Sequence, residues 1–197
     1  MNVEVPQFSP TITRLSEDLI NQIAAGEVVE RPLSVIKELV ENSIDAKATR
    51  IDILLKEGGL EEITVIDNGS GMNPTDLVLS IERHATSKIG NVSDLEKIAS
   101  FGFRGEALSS IASVAEVEIR SRIEELPSGY RLVSSFGALQ PVRPVSGPIG
   151  TAVHVRHLFR KVPARLKFLR TVGTEFSHCS RLVRELALGS PETAFYL

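Results

Sequence analysis

The 197-residue chain has one cysteine, no tryptophan and only two tyrosines. A lone Cys179 cannot close an internal disulfide, so the sequence carries no oxidative staple and fits a reducing, cytoplasmic setting. Its place in a predicted helix makes it a small buried apolar residue rather than a nucleophile. No apolar run approaches the ~18 residues that a membrane-spanning helix needs, and no basic-then-apolar leader opens the chain, so no membrane contact is expected. The four histidines show no metal-ligand spacing: His154 and His157, three apart in a strand-like run, would point to opposite faces. Two common nucleotide signatures are missing as well. No G-K-[ST] completes a phosphate-binding loop, and no G-x-G-x-x-G follows the first strand. What is present, 42% apolar and 24% charged residues, is the composition of a globular domain with one sizeable core.

The net charge of −3 hides an asymmetry. Residues 1–100 carry 9 Lys or Arg against 17 Asp or Glu; residues 101–197 carry 13 against 8. Between Glu125 and Glu175 no acid occurs, while Arg131, Arg143, Arg156, Arg160, Lys161, Arg165, Lys167 and Arg170 all fall there. A basic segment on an acidic chain points to local contact with a polyanion, unless these cations only balance the acidic half.

The pattern of elements predicts a loosely attached arm over residues 1–15. A first helix follows over about 16–25, capped by Ser16, with Leu19, Ile20 and Ile23 inward and Gly26 as its stop. A second helix covers Pro32–Asp45, with proline at the first helical position. Strand-like runs at 49–55 and 63–66 are joined through Gly58 and Gly59. Asn73 and Pro74 then open a helix reaching about His84, and residues 85–105 lose periodicity. A short helix over 105–112 leads to strands near 114–122, 130–136 and 151–155, with turns at 127–129 and 141–150. A helix over about 174–188 precedes an apolar run at 194–197. Helices and strands in this order predict an α+β fold, a two-layer sandwich of helices packed on a mixed, largely antiparallel sheet.

Three segments look chemical rather than architectural. In the second helix, at about 100° per residue, Ile36, Leu39, Val40, Ser43 and Ile44 share the packing arc, while Glu38, Glu41, Asn42 and Asp45 share the other. Glu41 and Asp45 form a like-charge i,i+4 pair, mildly destabilising unless a cation or donors sit between them. The run Asp67-Asn68-Gly69-Ser70-Gly71-Met72 follows a strand directly. Its glycines permit a backbone approach that side chains would block, and Asp67 offers an acceptor at the strand end. Phe101-Gly102-Phe103-Arg104-Gly105-Glu106-Ala107-Leu108 places glycines three apart before a helix start, where free N–H groups favour an anion. Gly150-Thr151 opens a strand with one hydroxyl donor. Singly, each also fits a turn or a solvated face.

Together and in this order they resemble the four motifs of the GHKL ATPase superfamily, which includes type II topoisomerase ATPase domains, a heat-shock chaperone and histidine kinases. The likeness narrows further. The runs N-Q-I-A-A-G-E-V-V (21–29), K-E-L-V-E-N-S (37–43), R-H-A-T-S-K-I (83–89), G-F-R-G-E-A-L (102–108) and V-P-A-R-L-K-F-L (162–169) resemble the MutL family of DNA mismatch-repair proteins, bacterial type. The resemblance covers roughly residues 14–197.

That resemblance implies a GHKL, or Bergerat-type, domain over 16–190 that binds and slowly hydrolyses ATP with Mg²⁺. It implies Asn42 as the Mg²⁺ ligand and Glu38 as the general base on the attacking water, with Glu41 and Asp45 supporting. Asp67 would accept from the adenine amino group, assisted by Thr151, and the Gly69–Gly71 turn would admit the ring. Residues 85–105 would be a lid carrying Thr86, Ser87 and Lys88 near the phosphates. Gly102, Arg104, Gly105, Glu106, Ala107 and Leu108 would cradle those phosphates. Implied partners are DNA, held without sequence preference through 156–170, a MutS-type mismatch-recognition protein, and a downstream repair nuclease or helicase. A homodimer with ATP-dependent contact of the N-terminal domains is implied for the full-length protein.

Residues 191–197 would begin a truncated second (transducer) domain. The family's γ-phosphate lysine, from that domain, and its dimerising C-terminal domain would then be missing, leaving a weakly active or inactive fragment. Two alternatives stand beside this reading. A type II topoisomerase ATPase domain shares the fold but lacks the 21–29 and 83–88 runs. A nucleotide-gated DNA clamp with negligible hydrolysis would have no use for Glu38.

Overall fold

The computed structural model describes residues 13, 14, 16–86 and 105–197. Helix α1 (Glu17–Val28) leads to α2 (Pro32–Asp45), strands β1 (Arg50–Lys56) and β2 (Glu62–Asp67), and the short α3 (Pro74–Leu79). After α4 (Ala107–Val114) come β3 (Glu116–Arg122), β4 (Gly129–Ser135), β5 (Ala138–Leu139), β6 (Arg143–Val145) and β7 (Gly150–Arg156). Helices α5 (Pro163–Leu166) and α6 (Val172–Gly189) precede β8 (Ala194–Tyr196).

The strands form one sheet in the order β5-β4-β3-β7-β2-β1-β8, with β6 also on β4. Every pairing is antiparallel except β1 with β8. Strand alternation splits this sheet into two chemically different faces. Ile51, Ile53, Ile63, Val65, Val117, Ile119, Leu132, Val153 and Val155 are buried beneath Ile36, Leu39 and Val40 of α2, Ile111 and Val114 of α4, and Cys179 and Val183 of α6. Each such side chain contributes about 1.5–3 kcal/mol of burial, which makes this the dominant stabilising layer.

The other face is polar. Glu62 receives Lys56 at 2.8 Å and Arg156 at 2.7 Å, and Glu118 receives Arg120 at 2.6 Å and Arg131 at 2.7 Å. Lys56, Arg156 and Arg131 reach across from neighbouring strands, while Arg120 lies two residues along from Glu118 on the same strand; the pairs hold both carboxyls well below the usual range, to about 2. For Glu62 the Lys56 hydrogen bond leads, and for Glu118 that of Arg131. The two-layer sandwich on a mixed sheet is therefore as expected.

Several local expectations are corrected. Gly26 does not stop α1, which continues to Val28. A Cβ there would collide with the Arg165 guanidinium, whose Nη1 donates to the Val29 carbonyl at 2.8 Å, so this glycine serves a close approach. Ile20 and Ile23, expected inward, are 43% and 52% exposed; α1 packs on α4, with Ala25 buried. The Leu19 side chain lies outside the described residues.

Helix α3 is capped as predicted, the Asn73 side chain accepting from the Thr75 and Asp76 amides at 2.9 Å. It ends at Leu79 rather than near His84, where the Ser80 hydroxyl bonds back to Leu77 and His84 takes a positive φ. The stretch read as a 141–150 turn contains β6, whose Pro144 is tolerated because only β4 pairs with it. His154 lies on the polar face, whereas His157 is past the strand with φ 56°. At the end of the chain, Ala194–Tyr196 pairs in parallel with β1 as an edge strand.

Candidate functional site

The register of the central strands sets Asp67, Thr151 and Ser121 in one row, since Asp67 faces Thr151 and Thr151 faces Ser121. The row lies at one end of the helix-covered side. Asp67 is enclosed by donors: Oδ1 accepts from Gly69 N at 2.9 Å and Thr151 N at 3.2 Å, and Oδ2 accepts from Ser43 Oγ at 2.8 Å. Burial pushes the Asp67 carboxyl above its ordinary range, and the bonds from Gly69, Ser43 and Thr151 pull against that rise. A half-buried carboxylate held by three donors is a fixed acceptor, ready for one further N–H.

The loop around it leaves no room for side chains. Gly71 and Gly150 have φ of 71° and 115°, and a Cβ at either would strike the backbone, of Arg122 and Asp67 respectively. Ser70 N donates to the Ala46 carbonyl at 2.9 Å, which ties the loop to the end of α2. Beside it, Ser121 Oγ accepts from Met72 N at 2.8 Å and lies 2.9 Å from Thr151 Oγ1.

Helix α2 brings its polar arc to this loop, because Ser43 and Ala46, which touch it, follow Asn42 by one and four residues. Glu38, Asn42 and Asp45 are half-buried along that arc. Glu41 is not part of an open acidic face: it is buried and paired with Lys37 at 3.3 Å, one turn earlier. The like-charge cost expected between Glu41 and Asp45 is thereby reduced. Lys37 also lies 4.0 Å from Glu38.

Thr86 is half-buried, and Ser87, Lys88, Gly102 and Arg104 lie outside the described residues, as does most of the 85–105 segment. Its two ends meet. Gly105 lies against the Ala85 backbone, and His84 Nδ1 is 3.4 Å from Glu106 Oε1. Glu106 is the N-terminal flank of α4, Ala107 begins it, and Leu108 packs on the core. Among the described residues no cluster of three or more His, Cys, Asp or Glu side chains is arranged for a metal.

The family model described as "Histidine kinase-, DNA gyrase B-, and HSP90-like ATPase" matches residues 30–146. The chain belongs to this ATPase family. Its α2, Asp67 loop and α4 start all fall inside the match. The chain is 48% identical over its whole length to the DNA mismatch repair protein MutL of Herminiimonas arsenicoxydans, and 49% identical over 95% of its length to that of Neisseria meningitidis. It spans 32% and 29% of those relatives, about a third of their length. Among solved structures it resembles the Aquifex aeolicus MutL ATPase domain complexed with ADP, at 37% identity and a TM-score of 0.66, covering 85% of this chain and 59% of that one. It also resembles the N-terminal domain of a DNA repair protein, at 31% identity and a TM-score of 0.75, covering 89% and 50%.

The basic segment of this ATPase-family domain divides in two. Arg131 and Arg156 are spent on Glu118 and Glu62, and Arg165 on Val29. Lys161 lies over the Phe136 ring at 4.4 Å. Arg143, Arg160, Lys167 and Arg170 are exposed and have no ion pair among the described residues. A cavity of about 270 Å³ opens on the polar face beside Glu118, Arg131, Gln140 and Arg156, away from Asp67. Its charges already pair with one another or with Glu62, which marks it as structural.

Cys179 is buried, its thiol pushed up to about 12 by burial and the nearby Glu175, so it is no nucleophile. No described helix is long and apolar enough to cross a membrane. Two site residues were not foreseen in their roles. Ser43 reads as a packing residue, and only its place facing the end of β2 reveals it as a donor to Asp67. Ser121 sits at an inward position of an ordinary strand and carries no sequence signal.

Proposed function

We propose that this chain is the ATP-binding and slowly hydrolysing domain of a cytoplasmic MutL-type mismatch-repair protein. The observation that carries the reading is Asp67: a half-buried carboxylate, oriented by three donors and flanked by glycines, beside the oxygen-rich arc of α2. It would accept from the adenine amino group, with Thr151 alongside. Phosphates would then lie between α2 and the start of α4, where the amides of Gly105, Glu106, Ala107 and Leu108 act with Gly102 and Arg104. Thr86, Ser87 and Lys88 would close from the lid.

The donor set on α2 is all oxygen, which suits Mg²⁺. Asn42 would hold it, with Glu38 and Asp45 near. When bound, Mg²⁺ supplies charge neutralisation at the phosphate oxygens. Glu38, half-buried, would orient the attacking water and accept its proton. One carboxylate base implies slow turnover, suited to a timer that drives dimer contact of N-terminal domains. Arg160, Lys161, Lys167 and Arg170 supply exposed cations for DNA held without sequence preference. A MutS-type mismatch-recognition protein and a repair nuclease or helicase are the proposed partners.

The test is turnover of ATP by the full-length protein with and without Mg²⁺, alongside nucleotide titration of the 197-residue chain. Magnesium-dependent turnover lost on Glu38→Ala, with binding kept, is the expected result. Magnesium-dependent binding without any turnover would support the nucleotide-gated clamp instead. No nucleotide binding by either protein would end the proposal.

A further inference from the structure

Ser121 has one hydroxyl proton and three neighbours. Met72 N, at 2.8 Å, can only donate to it, and the Gly150 carbonyl, at 3.1 Å, can only accept. Thr151 Oγ1, at 2.9 Å, can do either. The single proton therefore decides what Thr151 shows to a ligand. If Ser121 donates to Gly150, Thr151 must spend its own proton on Ser121 and face the ligand as an acceptor. If Ser121 donates to Thr151, the Thr151 proton is left to point outward and Thr151 faces the ligand as a donor. Ser121 is buried at this position, so water does not compete for the arrangement.

We infer that Ser121 is a positioning residue that makes Thr151 a hydrogen-bond donor, so that Asp67 and Thr151 together read an acceptor-beside-donor edge. This rests on the proposal that Asp67 holds the base of a nucleotide. The complementary ligand edge is an amino group next to an unprotonated ring nitrogen, which is the edge of adenine. A base with a carbonyl and a protonated ring nitrogen in those places, such as hypoxanthine, presents the reverse pattern. It leaves Asp67 facing a carbonyl oxygen and Thr151 facing an N–H. The closer contact, 2.9 Å against 3.1 Å, agrees with the Ser121 proton lying toward Thr151.

Isothermal titration of the 197-residue chain with ADP and with inosine diphosphate tests this. The wild type should prefer ADP by at least about tenfold. Ser121→Ala frees the Thr151 proton to turn away, so ADP affinity should fall about three- to tenfold while inosine diphosphate is unchanged. Ser121→Thr, which keeps the hydroxyl, should retain the preference. Should the alanine variant not fold, Ser121→Cys, nearly the same shape with a weak donor, is read in its place. An equal loss for both nucleotides would make Ser121 merely structural. Unchanged or stronger ADP binding would reverse the assigned proton direction; either overturns the inference. Asp67→Asn separates the two levels: if it leaves ADP affinity untouched and the wild type does not discriminate, the base-site reading itself fails.

Discussion

Asp67→Asn changes one oxygen to an NH₂ group, and the structure fixes where that group must go. Oδ1 receives two backbone N–H groups, from Gly69 and Thr151, so the amide oxygen has to stay there. The NH₂ then replaces Oδ2 and meets Ser43 Oγ, which has a second acceptor ready, the Leu39 carbonyl at 3.1 Å. Ser43 can turn its proton to Leu39 and accept from the new amide. No buried donor is orphaned, so stability should change by no more than about 1 kcal/mol, a shift of roughly 2–4 °C.

Nucleotide affinity should respond far more. A hydrogen bond to a charged acceptor is worth about 1.5–3 kcal/mol, and setting a donor against the ligand's amino group adds about 1–3 kcal/mol for the unmet donor. Together roughly 3–4 kcal/mol is expected, a loss of about 10²–10³ in affinity. The assay is titration of the chain with ADP, with a thermal melt of each protein as control. A loss below about fivefold with an unchanged melt would refute the role of Asp67 in base recognition. A collapse of the melt would refute the Ser43–Leu39 fallback.

The raised carboxyl adds a pH signature. Its folded form binds a proton more readily than its unfolded form, so ionising it lowers stability as pH rises from the ordinary carboxylate range through the raised value. Removing the charge should flatten that portion of the stability curve.

Glu38→Ala should abolish ATP turnover in the full-length protein while nucleotide binding stays within a few-fold, as measured by steady-state hydrolysis and titration; equal loss of both makes Glu38 structural. Asn42→Ala should remove most of the magnesium dependence of nucleotide binding, and an unchanged dependence would exclude it as the ligand. Glu62 and Glu118 fall from an ordinary 4.5 to about 2, so they contribute stability that is complete above about pH 4.5 and lost as pH falls toward 2. Urea midpoints across that range should drop in the wild type and drop less in the Glu62→Gln, Glu118→Gln double variant. Replacing Arg160, Lys167 and Arg170 with Glu should weaken full-length binding to unrelated DNA sequences alike and flatten its salt dependence; binding indifferent to all three places the DNA surface elsewhere.

The layers of the fold were legible because they follow from local rules. Proline at the start of α2, asparagine before α3 and alternation in β1 and β7 each act within a few residues. Errors came where a distant residue decided the local outcome. Gly26 reads as a helix stop, yet it sits inside α1, with the guanidinium of Arg165 lying against it. Glu41 reads as part of an exposed acidic arc, yet Lys37 and burial take it out of that arc. Ile20 and Ile23 follow the helical period, but periodicity names a face without saying whether anything covers it.

The same distinction separates the two halves of the site. Asp67, Gly69, Gly71 and Thr151 announce themselves because unusual backbone or a charge at a strand end leaves a sequence trace. Ser43 and Ser121 leave none: each is a small polar residue at an inward position, where a hydroxyl and a methyl pack alike. What makes them functional is register, Asp67 opposite Thr151 and Thr151 opposite Ser121, and register across three strands is set by the whole hydrophobic side of the sheet. A one-residue slip of β3 would turn Ser121 to the polar face and bring Arg120 or Arg122 inward. The apolar residues Val117 and Ile119, four and two positions before Ser121, prevent that slip by needing the core themselves. Core packing on β3 thus carries the chemistry at its end, so a substitution at Ile119 that loosens the register should disturb base recognition without touching the ligand.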